Sequence, residues 1–414
     1  MSASDKARYY LEQLVPELRE FKKKKIFTEE EISSITKKRS DFEHRINARG
    51  PSPADYARYA EYEMNLDALR KKRIKRLGVK APTHTGQRRV FFILDRATRK
   101  FHGDVSLWQQ YIDYARKQKA YKKLAQIFTN ALRLHPREVD LWIYAAQHSL
   151  QDHGDMMQAR GYMQRGLRFC QSSRQLWLQY AKLEMIYIAK IGARQRILGL
   201  DKVEERDGID EQNDDEGADV MILPRLTGED INPTLEGDEP DQKSLETLNA
   251  TPALSGAIPI AVFDAAMNQF NNDAGFAYDF YHMLLEFEEC ACLRRVLGHV
   301  ADSLITAHPA NAKAQECHIR YPVAGINPCS PEFPRAFSLA LGRLKKHMKD
   351  DNPVLALLAP HITTWLQRLL ETENLDPALR KVIQVTLKSA SRQMESLQDI
   401  IDTAEPPPAS VHKI

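Results

Sequence analysis

The chain has 414 residues, 43% hydrophobic and 28% charged, enough apolar material for two or three compact domains or one extended array. No stretch approaches the ~18 uninterrupted apolar residues of a membrane-spanning helix, and residues 1–25 lack the apolar run of a secretory signal. Five cysteines (Cys170, Cys290, Cys292, Cys317, Cys329) suggest a reducing compartment rather than a disulfide framework, and so an intracellular protein.

The net charge of +3 conceals a separation: residues 1–100 hold 25 Lys and Arg against 14 Asp and Glu, whereas residues 201–241 hold 3 against 16. Such separation points to partners of differing charge and says nothing about fold.

Residues 1–86 read as a basic helical block. Tyr56, Tyr59, Tyr62 and Glu63 have the spacing of Trp177, Tyr180, Leu183 and Glu184 further on, so a degenerate copy of a later repeat is expected here. Two runs of cations stand out, Lys22-Lys23-Lys24-Lys25 and Arg70-Lys71-Lys72-Arg73-Ile74-Lys75-Arg76, the second flanked by Lys80, Arg88 and Arg89. Density of this kind can neutralise phosphates with counterion release. A nuclear import signal, a solvated helix face and a dock for an acidic partner are competing readings. Aromatic residues are sparse around 70–76, so any RNA contact there should be backbone-directed and poorly sequence-specific.

Residues 87–200 carry a repeat. Leu107-Trp108-Gln109-Gln110-Tyr111, Leu141-Trp142-Ile143-Tyr144-Ala145 and Leu176-Trp177-Leu178-Gln179-Tyr180 align, with tryptophans 34 and 35 residues apart. Three of the chain's four tryptophans thus share one repeat position, which excludes coincidence as the simple explanation. Ala97, Ala131 and Gly166 recur with the same step. Each unit reads as two amphipathic helices, one bearing the indole and one a small residue that lets the backbones approach. A single hairpin cannot bury its apolar face, so neighbours must stack. Trp108, Tyr111, Ala131, Trp142, Gly166, Trp177 and Tyr180 are therefore assigned to the repeat core rather than to an aromatic ligand cage.

Residues 201–250 combine acidity with few aromatics and read as a disordered insertion. Helical patterning resumes over 251–321. Val262, Ala265 and Ala266 mark one helix; Phe276, Phe280, Leu284 and Phe287 mark another, and a third spans 293–307. Four prolines between 322 and 334 must break the period. Over 335–404 at least two C-terminal helices follow. In the last, Ile383, Leu387, Ala390, Met394, Leu397 and Ile401 form a stripe that caps the array or docks on a partner; 405–414 is a tail. The fold class is all-α: a helix-pair (HAT/TPR-like) repeat solenoid with an N-terminal helical extension and C-terminal capping helices.

Signs of chemistry are few. No P-loop, Rossmann glycine pattern, HExxH or nucleophile elbow occurs. Cys290-x-Cys292 has the wrong separation for a zinc knuckle and falls in what reads as a helix, so these cysteines and the Cys317-His318 pair are read as buried small residues. Neither enzymatic activity, metal nor cofactor is expected.

The Trp-x-x-Tyr helix, its small-residue partner and the period resemble the HAT (half-a-TPR) repeat, typical of RNA-processing assemblies. The N-terminal block narrows the resemblance. Tyr9-Tyr10-Leu11-Glu12-Gln13-Leu14-Val15-Pro16-Glu17-Leu18, Ile26-Phe27-Thr28-Glu29-Glu30-Glu31-Ile32, Lys38-Arg39-Ser40-Asp41-Phe42-Glu43-His44-Arg45 and Tyr59-Ala60-Glu61-Tyr62-Glu63 closely resemble the U3 small nucleolar RNA-associated protein 6 family. That resemblance implies a nucleolar subunit of the UtpB module of the small-subunit processome. Its implied partners are WD-repeat proteins, pre-rRNA and U3 snoRNA. The implied role is non-enzymatic organisation of early 18S rRNA processing. A HAT-repeat protein of mRNA splicing or 3′-end processing, or a directly RNA-binding helical module, is the alternative.

Overall fold

The computed structural model describes residues 3–80, 82, 84–198, 254–287, 290–349, 355–372 and 375–389. The acidic insertion expected at 201–250, the 405–414 tail and the stripe positions from Ala390 onward lie outside the described residues. Among the described residues every regular element is a helix. The chain divides into two compact units, Met1–Ala145 and Ala146–Ile414.

The first unit contains α1 (Ala3–Glu12), α2 (Val15–Lys23), α3 (Glu29–Asn47), α4 (Pro53–Leu77), α5 (Thr85–Lys100), α6 (Val105–Lys117), α7 (Tyr121–Leu134) and the first half of α8 (Val139–Asp152). Reciprocal capping boxes start its two long helices, Thr28 with Glu31 on α3 and Ser52 with Asp55 on α4. Pro53 sits in the first turn of α4, where its missing N–H costs nothing, and Gly78 ends the helix in the left-handed conformation. Packing runs between near neighbours: α3 against α1, α2 and α4, then α4 on α5, α5 on α6, and α6 on α7. This is the contact pattern of stacked hairpins.

The second unit contains the rest of α8, then α9 (Met156–Phe169), α10 (Arg174–Leu198), α11 (Ala257–Gln269), α12 (Ala274–Leu284), α13 (Leu293–Ala307), α14 (Ala312–Arg320), a 3-10 turn (Tyr321–Val323), α15 (Phe333–Lys349), α16 (Leu355–Leu370) and a helical stretch over 377–389. Helix α10 packs directly on α9, α11 and α12, so the stack resumes beyond the acidic segment. Two local expectations are corrected. Helix α12 stops at Leu284, leaving Phe287 outside it, and Cys290 and Cys292 lie in the turn that leads into α13 rather than within a helix. At the C-terminal end Ile383 is buried and Leu387 packs beside it, in a cluster with Phe337, Trp365 and Leu366. The described part of that stripe is thus covered by the chain's own core.

One joint recurs with fixed geometry. Phe101, His135, Cys170 and His308 close α5, α7, α9 and α13 with φ between −135° and −114° and ψ between 50° and 64°. Each donates its N–H to the carbonyl four residues back at 2.8–2.9 Å, and the next helix begins four residues later. Seven residues past the joint stand Trp108, Trp142, Trp177 and Gln315. Their side-chain N–H groups donate to the carbonyls of His102, Pro136, Gln171 and Pro309, each six residues back, at 2.9–3.1 Å. Gln315 marks a further copy, in which an amide makes the bond of the indole.

Candidate interaction surfaces

Of the residues assigned to the repeat core, Trp108, Tyr111, Ala131, Trp142, Gly166 and Tyr180 are buried, the four rings among them no more than 6% exposed. Trp177 is only half-buried. Helix α7 begins four residues after α6 ends, whereas α10 runs on for 25 residues and the next described helix begins at Ala257. None of these rings forms a cage; each indole N–H is already bonded to the joint before it.

The basic N-terminal block holds a buried ionic seam that the sequence reading did not separate from its surface charge. On α3, Arg39 is 1% exposed and grips both oxygens of Glu63 on α4 at 2.7 and 2.8 Å, with Glu17 of α2 at 3.3 Å. Arg89 of α5 reaches Glu17 at 2.8 Å and Glu63 at 3.7 Å. Burial alone would lower the pKa of the Arg39 guanidinium; the Glu63 carboxylate, with Glu17, offsets it, and the pKa is raised. A turn further along, Glu43 takes both contacts of Arg96 at 3.0 Å. The same device recurs in the second unit, where Arg160 of α9 holds Glu184 of α10 at 2.7 and 2.8 Å. Both Arg–Glu pairs are separated by 24 residues, and α4 and α10 are both 25 residues long. This gives the aligned Tyr59–Glu63 and Tyr180–Glu184 segments a common structural partner.

The cationic runs are accordingly divided. Arg70 is 2% exposed and bonds Asp67, the Pro82 carbonyl and the Thr85 hydroxyl. Lys71 pairs with Asp67. Arg73 forks onto Glu31 at 2.7 Å and covers the Phe27 ring. Lys22 and Lys24 pair with Glu29 and Glu20. Arg73 and Arg89 thus bridge neighbouring helices, Lys22 makes an exposed pair, and Lys24, Arg70 and Lys71 pair within or at the end of their own helix. Lys23, Lys25, Lys72, Lys75, Arg76 and Arg88 are exposed. Charge density in sequence cannot distinguish the two groups, because it does not show which carboxylates of α2, α3 and α4 each cation meets.

A concentration of cations that sequence reasoning missed lies where α1 meets the last turn of α5. Lys6, Tyr9 and Tyr10 of α1, Ile46 and Asn47 of α3, Tyr56 of α4, and Arg96, Arg99 and Lys100 of α5 line a cavity of about 680 Å³. Arg99 also borders a neighbouring cavity of about 370 Å³, with Lys123 and Arg133 on its far wall. The signal available in sequence was Arg96, Arg99 and Lys100 at i, i+3 and i+4 on one helical face.

In the second unit Glu316, 2% exposed, receives the Tyr278 hydroxyl at 2.9 Å and Arg320 at 2.7 Å, and pairs with His361 at 3.0 Å. Its acceptors are thus committed to structure. Burial pushes the Cys292 thiol up to about 11, and Cys317 higher still. Among the described residues no group of three or more His, Cys, Asp or Glu is placed to hold a metal.

Stacked hairpins joined by a fixed cap and wedged by an indole define a helix-pair repeat protein of the HAT type. Residues 88–196 match the PRP39 N-terminal HAT repeat, and residues 11–96 match the model of U3 small nucleolar RNA-associated protein 6. Over its N-terminal half this chain is similar to members of the U3 small nucleolar RNA-associated protein 6 family. It is 40% identical to U3 small nucleolar RNA-associated protein 6 of Schizosaccharomyces pombe over 199 residues, 47% of this chain and 41% of that protein. It is 28% identical to the Homo sapiens homolog over 215 residues, 51% of this chain and 35% of that protein, and 32% identical to the Mus musculus homolog over 185 residues, 44% and 31%. The chain spans less than half the length of these curated relatives.

Proposed function

We propose that this chain is a non-enzymatic scaffold of small ribosomal subunit biogenesis. It acts in the nucleolus, holding WD-repeat proteins of the UtpB module together on nascent pre-rRNA with U3 snoRNA during the early cleavages that yield 18S rRNA. The observation that carries this reading is the fusion of the U3-family block at 11–96 to HAT repeats at 88–196. Stacked hairpins offer long exposed helix faces for extended or helical partner segments. Buried Glu43, Glu63 and Glu184 are each paired with an arginine of a neighbouring helix, which supports a structural role for these carboxylates. Domain limits of 1–86, 87–200, 201–250, 251–321, 335–404 and 405–414 belong to the same proposal. The match to the PRP39 repeat favours a second reading, a HAT protein of mRNA splicing or 3′-end processing.

Affinity purification of the tagged chain, with RNA and co-purifying proteins identified, decides between them. U3 snoRNA, pre-rRNA and WD-repeat subunits are the expected companions. Recovery of spliceosomal RNAs or 3′-end factors instead would overturn the first reading in favour of the second.

A further inference from the structure

The cavity between α1 and the end of α5 has walls of one sign: four cations line it and no carboxylate does. Two of those cations are balanced from outside, Arg96 by Glu43 at 3.0 Å and Arg99 by Asp95 at 2.8 Å. Lys6 and Lys100 add charge without a carboxylate among the lining residues. Lys100 reaches the Ile46 carbonyl at 3.4 Å, and burial, followed by the neighbouring charges of Arg96 and Lys6, lowers its pKa.

The same walls carry aromatic faces. Tyr10 is fixed by the Arg96 guanidinium at 4.2 Å over its ring and by Phe92 at 5.4 Å. Tyr9 stands edge-on to Tyr10 at 5.5 Å and is 50% exposed. A rigid ring beside an open one offers a stacking platform at the cavity mouth. Arg99 links this cavity to the next, where Lys123 and Arg133 line the wall with Asp95, so that three cations there face one carboxylate.

Three anionic occupants can be compared by their chemistry. A single small anion would use one cluster and leave the second cavity and the rings idle. An acidic peptide would use the cations and leave the rings idle. Single-stranded RNA repeats its charge at every nucleotide and presents unstacked bases, so it uses all three features. We propose that this paired cavity binds a single-stranded RNA segment, its phosphates on Lys6, Lys100 and Arg99 and a base stacked on Tyr9. The inference deepens the scaffold reading and rests on it for the presence of RNA beside the chain, but its test needs only the purified full-length chain.

The probe is a fluorescently labelled oligouridylate of about 12 nucleotides, within the span such platforms cover, titrated by anisotropy across a salt series. Combined Lys6→Ala and Lys100→Ala lowers affinity at least fivefold and reduces the slope of log affinity against log salt by about 1.4, two phosphate contacts' worth on a single strand. Tyr9→Ser weakens binding by roughly 5- to 100-fold with the slope unchanged, as loss of one stacked base requires. Lys6→Arg with Lys100→Arg retains binding. Combined Lys72→Ala, Lys75→Ala and Arg76→Ala, on the exposed end of α4, lowers affinity less than the Lys6/Lys100 pair does. Circular dichroism establishes that every variant keeps wild-type helicity. Equal losses from the α4 variant would reduce the site to general surface charge, and polyglutamate competing as well as RNA would assign it to an acidic protein; either overturns the inference. So does absence of binding at low salt. Should binding fail while U3 snoRNA and WD-repeat proteins still co-purify, this site falls and the scaffold reading stands.

Discussion

At each repeat position the tryptophan does two jobs: its ring fills space between helices and its N–H secures the joint six residues behind it. Burial decides how much each ring contributes. Trp142 is 4% exposed, so Trp142→Ala leaves a cavity and should cost roughly 3–5 kcal/mol. Trp142→Phe keeps much of the volume but removes the indole bond to the Pro136 carbonyl, at about 1 kcal/mol for the lost bond plus a smaller packing loss. Trp177→Ala should cost less than Trp142→Ala, because the third ring is only partly buried. Urea denaturation of the three variants checks the order; an equal loss at Trp142 and Trp177 contradicts it. The spacing of tryptophans was legible in sequence because indole is rare. Gln315 was not, since a glutamine carries no such mark, and only the bond to Pro309 discloses its equivalence.

At the scale of the helices, charge is what sequence conveyed least well. Arg39 and Arg160 occupy matching places, yet the first is 1% exposed at its side chain and the second 23%. Arg39→Met leaves Glu63 and Glu17 with Arg89 as their remaining counter-charge, and a loss towards the lower end of roughly 3–5 kcal/mol is expected. Arg160→Met should cost distinctly less, because water reaches the site, and thermal denaturation of both variants tests the ranking. Glu31 brings in pH. The hydrogen bond from Arg73, then that from the Thr28 N–H, holds its carboxyl down at about 2. A depressed folded-state value means the contribution is complete above the ordinary carboxylate range near pH 4.5 and disappears as pH falls towards about 2. Melting points followed from pH 6 to pH 2 should therefore show a smaller acid loss for Glu31→Gln than for the unaltered chain across that window. A parallel loss would show that the pair contributes nothing there.

For the molecule as a whole, helix pairing and the resumption of the stack after the acidic segment were readable, because both follow from apolar period alone. What escaped were features assembled across elements: the Glu17–Arg39–Glu63–Arg89 seam draws on four helices, and the cavity at Lys6 and Lys100 on four. No local pattern announces such a meeting. The direct packing of α10 on α11 and α12 carries a prediction of its own. Deleting 205–245 should leave the thermal midpoint of the helices within about 2 °C, the size of shift that a fraction of a kcal/mol produces in a chain of this length. A large fall in helicity would place that segment among the supports of the second unit.

The recurring joint has a consequence for how such a chain can diversify. Its backbone angles are the same whether phenylalanine, histidine or cysteine occupies the cap, and whether an indole or an amide ties it down. Hinges of interchangeable build let the outward surfaces drift independently, one hairpin acquiring a new ligand while its neighbours keep theirs. A loop grafted from 101–108 onto 308–315 should be accepted for the same reason, as a spare part cut to a common gauge.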